Sequence, residues 1–238
     1  EALWREKHTY FDWGSYSLAW YENELGKYGI NYVRHGSYLQ DFEFTYEHCK
    51  RMRDKGIIVE LTVFRTIEEG RLLDLTQSNV QRLHELGNVF FDCHNEFMDD
   101  IERVNEAKHI AEIITGYGGI VSGGAWGAST DGEKNSELFH SICSAHKIST
   151  VHRQWTSGEI TNALKYGKPV IRNEYFDRGD LGLDLVKQIM YETFEAGGQG
   201  CTYYGFAIDG LQGLIAPDPF DYKEILIYAG NLARELNE

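Results

Sequence analysis

Short apolar runs alternate with segments of helical periodicity along almost the whole chain, and few folds accommodate that order. Apolar runs fall at residues 30–34, 57–63, 89–93, 119–123, 148–152, 170–174 and 201–206. Helical spacing of apolar residues falls at 16–28, 43–55, 76–86, 103–115, 135–147, 157–166, 181–196 and 222–236. Each run is too short to be a helix, and each is followed by a stretch with a 3.6-residue period. Strands that alternate with helices pair in parallel, through right-handed crossovers. The pattern predicts an α/β fold, a (β/α)8 TIM barrel, with its first strand missing or poorly formed at the N-terminus. The segment His8-Thr-Tyr-Phe-Asp-Trp13 lacks a clean β-branched run and reads as a loop. An open doubly wound sheet would carry a glycine-rich phosphate turn after an early strand, and none is present.

The ends of these segments carry their own signals. Gly87 follows the helix at 76–86 and suits a left-handed cap. Thr156-Ser-Gly-Glu159 has the form of a capping box ahead of the helix at 157–166, and Gly167-Lys-Pro169 stops it. With 238 residues, only three prolines and no Ser/Pro-rich or Gly/Ser-rich linker, residues 1–238 form one barrel domain. No run approaches the roughly 18 apolar residues of a membrane-spanning helix. No signal peptide is legible, and the sequence starts at Glu1 without a Met. Cys93 and Cys201 fall in strands and Cys49 and Cys143 in helices, without zinc-ligand spacing, so buried free thiols are expected.

A barrel concentrates function at the C-terminal ends of its strands. Those positions hold Arg34-His35, Phe64-Arg65, His94-Asn95-Glu96, Trp126, His152-Arg-Gln-Trp155, Asn173-Glu174-Tyr175 and Tyr203-Tyr204. Two carboxylates stand out. Glu96 closes Asn88-Val-Phe-Phe-Asp-Cys-His-Asn-Glu96, and Glu174 closes Lys168-Pro-Val-Ile-Arg-Asn-Glu174. Each lies just past a buried run, at the mouth of the core, where a carboxylate is poorly explained as surface solvation. Paired carboxylates converging there are the machinery of glycoside hydrolysis. The plainer reading of Glu96 is a cap on the helix that follows or a pair with a nearby Arg, and that of Glu174 is an ion pair with Arg34 or Arg172. Asn95 weighs against it, because an amide beside the acid can bind a sugar 2-hydroxyl in the transition state. Trp126, Trp155 and Tyr204 offer rings for stacking on sugar faces, although any one could equally be a packed loop aromatic.

In this order the motifs resemble the clan A glycoside hydrolases, the retaining (β/α)8 enzymes that include family 5 cellulases and mannanases. In that clan an Asn-Glu pair ends the fourth strand and carries the acid/base, and a Glu ending the seventh is the nucleophile. The resemblance therefore implies that Glu96 is the acid/base and Glu174 the nucleophile. It further implies that Arg34, in Gly29-Ile-Asn-Tyr-Val-Arg34, braces the nucleophile. Val151-His152 resembles the sixth-strand segment bordering the sugar subsite, and Gly200-Cys-Thr-Tyr-Tyr204 the eighth-strand segment with the aromatic platform. His35, Asn95, Trp126, His152, Trp155 and Tyr204 join Arg34 as expected substrate contacts. The chain departs from the family in lacking a His after the third strand, where Val63-Phe64 stand. It also has Phe97 after Asn95-Glu96, and Tyr204 rather than Trp at the platform. An extracellular location is implied by the resemblance alone.

A carbohydrate is thus the expected partner, with no cofactor and no metal. The net charge of −14, from 37 acidic and 23 basic residues, repels nucleic-acid phosphates and anionic lipid, so neither is expected to bind. Two rival readings differ in chemistry. A metal-dependent sugar isomerase or hydrolase would use His94 and His152 with the two glutamates as ligands, although no HxH or HExxH spacing supports it. A catalytically silent glycan-binding barrel would keep the aromatics and dispense with turnover.

Overall fold

A computed structural model describes residues 8–12, 25–35, 42–63, 76–93, 101–126, 147–152, 158–173, 183–204 and 219–238. Eight strands close into a barrel in the order of the chain: β1 (His8–Asp12), β2 (Tyr32–His35), β3 (Ile58–Thr62), β4 (Val89–Asp92), β5 (Val121–Trp126), β6 (Ile148–His152), β7 (Val170–Asn173) and β8 (Gly200–Tyr204). Neighbouring strands are parallel throughout. Six helices are described: α1 (Phe42–Arg53), α2 (Gln77–Glu85), α3 (Ile101–Gly116), α4 (Gly158–Leu164), α5 (Leu183–Glu195) and α6 (Pro219–Asn237). A 3-10 turn at Leu25–Tyr28 precedes β2. The helix expected at 135–147 lies outside the described residues save for Lys147, and Thr156 and Ser157 of the expected capping box lie outside them too, as does Cys143.

The expected barrel is there, and its first strand corrects the sequence reading. Residues His8–Asp12 are not a loop. They form β1, paired to β2 through Tyr10 and Tyr32 and to β8 through Tyr10 and Thr202. The ladder on both sides supplies hydrogen bonds that the local sequence does not advertise, so tertiary pairing overrides a weak strand propensity. With β1 counted, Val89–Asp92 is the fourth strand and Val170–Asn173 the seventh.

Strand alternation divides the core into two shells. Val33, Val59, Leu61, Phe91, Val121, Val170 and Cys201 point outward and pack with helix residues such as Cys49, Leu83, Ile114 and Met190. Tyr32, Ile58, Phe90, Ile148 and Ile171 point inward and fill the lower part of the barrel, with Ile120 against them. The rings of Tyr32 and Phe90 stack there, 5.8 Å between centroids. Strands buried on both faces explain why the sequence shows continuous apolar runs rather than alternation. Among the described residues, no helix is long and apolar enough to cross a membrane.

Candidate functional site

Two residues further along the strands, the inward positions turn from apolar to polar. Arg34 on β2, Glu60 and Thr62 on β3, Asp92 on β4 and Ser122 on β5 form one buried cluster on the C-terminal side of the apolar plug. Arg34, Glu60, Asp92 and Ser122 have no exposed surface. The guanidinium of Arg34 donates from Nη2 to Asp92 Oδ2 at 2.6 Å and from Nε to Thr62 Oγ1 at 3.2 Å. Thr62 in turn donates its hydroxyl proton to the same Asp92 oxygen at 3.2 Å. Three strands are pinned by this triangle.

Glu60 sits below it. Its Oε2 is 3.8 Å from Arg34 Nε, an electrostatic contact rather than a hydrogen bond. Tyr32 donates its phenolic hydroxyl to Glu60 Oε2, and Ser122 Oγ stands 3.1 Å from Glu60 Oε1. Burial pushes the Glu60 carboxyl up to about 7. The attraction of Arg34 opposes that shift, the charge of Asp92 adds to it, and the Tyr32 and Ser122 hydrogen bonds oppose it. Asp92 Oδ1 is buried without a hydrogen-bond partner among the described residues, so the open acceptor of the cluster belongs to the residue that ends β4.

The expected site residues divide into three groups. Arg34 is placed with its side chain, in the cluster. His35, Trp126, His152 and Tyr204 are the last residues of β2, β5, β6 and β8, at the C-terminal rim of the barrel. Trp126 is the register partner of His152, which is the partner of Asn173, so three adjacent strands end side by side. Tyr204 pairs in register with Asp12 of β1. Asn95, Glu96, Trp155 and Glu174 lie outside the described residues, as does His94. In the chain, Glu96 comes four residues after the end of β4 and Glu174 directly after the end of β7. Arg172, a candidate partner for Glu174, is buried and donates to Thr193 of α5 at 3.4 Å.

Sequence reasoning missed Glu60, Asp92, Thr62, Ser122 and Tyr32. The signal was available. Glu60 interrupts Ile57-Ile-Val-Glu-Leu-Thr-Val63 and Asp92 interrupts Val89-Phe-Phe-Asp-Cys93, and a charge inside a doubly buried strand needs a partner. Cys49, Cys93 and Cys201 are buried free thiols, as expected. Burial raises Cys49 and Cys93 well above the ordinary thiol range, which makes them packing residues rather than nucleophiles. Among the described residues, no three His, Cys, Asp or Glu side chains gather as metal ligands would.

No protein-family model matches the chain, and no curated protein matches it in sequence. Solved structures do match it in fold. The endo-beta-1,4-mannanase from Thermotoga petrophila superposes with a TM-score of 0.64 at 12% identity, over 96% of this chain and 77% of that one. The endo-1,4-beta-mannanase from Rhizomucor miehei gives 0.64 at 10% identity, over 96% and 95%. A D-psicose 3-epimerase from Clostridium cellulolyticum H10 gives 0.59 at 11% identity, over 98% and 99%. What the chain has in common with all three is the TIM barrel.

Proposed function

We propose that this chain is a retaining glycoside hydrolase acting on a β-linked glycan. The observation that carries the reading is strand order. Asn95-Glu96 follows the fourth strand of a closed barrel and Glu174 the seventh, which is the order of acid/base and nucleophile in clan A. The likeness in fold to two mannanases supports the same class.

In this mechanism Glu174 attacks the anomeric carbon as a carboxylate while Glu96 protonates the departing glycosidic oxygen. Glu96 then takes a proton from the water that releases the sugar from Glu174. The two carboxyl groups stand about 5–5.5 Å apart in such an enzyme. Arg34, one residue before the end of β2 and fully buried, favours the ionised form of a neighbouring nucleophile. Asn95 contacts the sugar 2-hydroxyl, and Trp126, His152, Trp155, His35 and Tyr204 line the approach. The excess of acidic residues disfavours an anionic glycan, so the substrate is a neutral one.

A 2-deoxy-2-fluoro glycoside carrying a good leaving group traps the covalent intermediate of a retaining enzyme. Mass spectrometry of peptides is expected to place the adduct on Glu174, and an adduct on any other residue overturns the assignment. Glu174→Gln is expected to abolish turnover while leaving glycan binding largely intact, and Glu96→Gln to lower kcat roughly 100- to 10,000-fold. β-Mannan is the first polymer to assay. Activity that disappears with a chelator would favour the metal-dependent alternative.

A further inference from the structure

We propose that Asp12 is a specificity-determining residue of the same site, a carboxylate that holds hydroxyls of the sugar attacked by the nucleophile. This role rests on the hydrolase reading and adds a third carboxylate to the two glutamates. Backbone register carries it. Asp12 is the last residue of β1, paired in register with Arg34 of β2 and with Tyr204, the last residue of β8. Directly paired residues of parallel strands share a face of the sheet, and successive residues alternate between faces. Arg34 belongs to the cluster inside the barrel, bonded to Thr62 and Asp92, so Asp12 occupies an inward position. β8 leads independently to the same face. Cys201 packs among the outward residues, which puts Tyr204, three residues on, and its partner Asp12 on the inward face. Asp12 thus stands on the interior face at the C-terminal end of a barrel strand, where such enzymes carry their chemistry.

Surface solvation does not explain a carboxylate at that position. On an interior face it needs a counter-charge or hydrogen-bond donors. The described bonds of Arg34 run across β3 to β4, on the side away from β1. On the other side of Asp12 stands Tyr204, at the strand end expected to carry the aromatic platform. A sugar meets both features at once. The C–H groups of its face stack on an aromatic ring, and hydroxyls around its edge donate to a carboxylate. The two carboxylate oxygens accept from two neighbouring hydroxyls, and bonds to an ionised acceptor are stronger than neutral ones.

Barrel order says which sugar. β8 lies between β7 and β1, so Asp12 is two strands from the one that Glu174 follows and three from β4. The nucleophile's side of the mouth is where the sugar that becomes covalently bound must sit. A negative charge there favours the positive charge that develops on the ring in the transition state. It also disfavours an anionic sugar, in keeping with the net charge of −14.

Hydrolysis of β-linked manno-, cello- and galacto-oligosaccharides by the full chain, wild type and Asp12→Asn, tests the role. The variant is expected to lower kcat/KM roughly 10- to 100-fold, and an unchanged kcat/KM overturns the proposal. Aryl β-glycosides of the sugar cleaved, with one hydroxyl at a time replaced by hydrogen, locate the contact. Loss of the contacted hydroxyl is expected to cost the wild type a similar factor and the variant little more. Costs that add in full for every hydroxyl overturn the proposal, since a merely structural residue has no such coupling. Urea denaturation of Asp12→Asn is expected to keep the wild-type midpoint. A midpoint lowered as far as that of Arg34→Ala, or a variant that does not fold, makes Asp12 a counter-charge of the fold and overturns its sugar-binding role. A wild-type chain that binds these oligosaccharides without cleaving them overturns the hydrolase reading alone. Asp12→Asn must then weaken binding by the same factor in calorimetry, failing which the proposal falls as well. A wild-type chain that neither binds nor cleaves any of them overturns both.

Discussion

Arg34 shows how much of a barrel's stability a single side chain can hold. Its guanidinium joins Asp92 and Thr62 across three strands in a place water does not reach. Removing one partner of a buried pair costs more than the pair contributes, because the remaining charge stays buried and unmatched. Arg34→Ala is therefore expected to lower unfolding free energy by about 3–5 kcal/mol, measured by urea denaturation. Arg34→Lys keeps the charge but loses the planar fork that reaches Asp92 and Thr62 together, so it restores only part of that loss. A loss below about 1 kcal/mol for Arg34→Ala, the range of an exposed pair, would show that the cluster is not formed as described. Arg34 could be singled out in the sequence because it closes an apolar strand. Glu60 and Asp92 were harder to read, since periodicity cannot tell inward from outward in a strand buried on both sides. Only the register that sets Arg34 beside Glu60, and Thr62 beside Asp92, brings the charges together.

At the scale of elements, the boundaries that local chemistry determines were the legible ones. Thr76 caps α2 by accepting from the Asn79 backbone N–H at 3.2 Å, and Gly87 ends it with φ of +78°. A methyl group at Gly87 would touch nothing within 4 Å, so substitution there tests backbone conformation alone. Gly87→Ala is expected to cost about 1–2 kcal/mol, the penalty of the left-handed region for a residue with a Cβ. Gly230 on α6 is the opposite case. It lies in helical backbone, yet a methyl group there would overlap the carbonyl oxygen of Tyr28 in the 3-10 turn before β2. Relief requires α6 and the turn to move apart, so Gly230→Ala is expected to cost about 3 kcal/mol, more than Gly87→Ala in the same thermal melt. Equal costs would mean that α6 does not approach the turn so closely. No sequence rule marks Gly230, since its role comes from a segment some 200 residues earlier.

For the whole molecule, closure is the feature that the sequence concealed. Seven strands declare themselves as apolar runs because helices cover one face and the barrel interior the other. His8-Thr-Tyr-Phe-Asp12 makes no such run, and its place comes from being paired on both sides, to β2 and β8. The placement of Glu96 and Glu174 after the fourth and seventh strands depends on counting it. So does stability, because a closed barrel has no edges, whereas removing β1 bares the hydrogen-bonding edges of both β2 and β8. Deletion of residues 1–12 is therefore expected to replace the single cooperative unfolding transition with a broad one and to drive self-association. Calorimetry and size-exclusion chromatography measure the two effects. A truncated chain that melts as one sharp transition and elutes as the intact protein does would mean that seven strands suffice and that β1 only lies against the sheet. In the closed barrel, by contrast, the weakest strand by sequence is the one on which the cooperativity of the other seven depends.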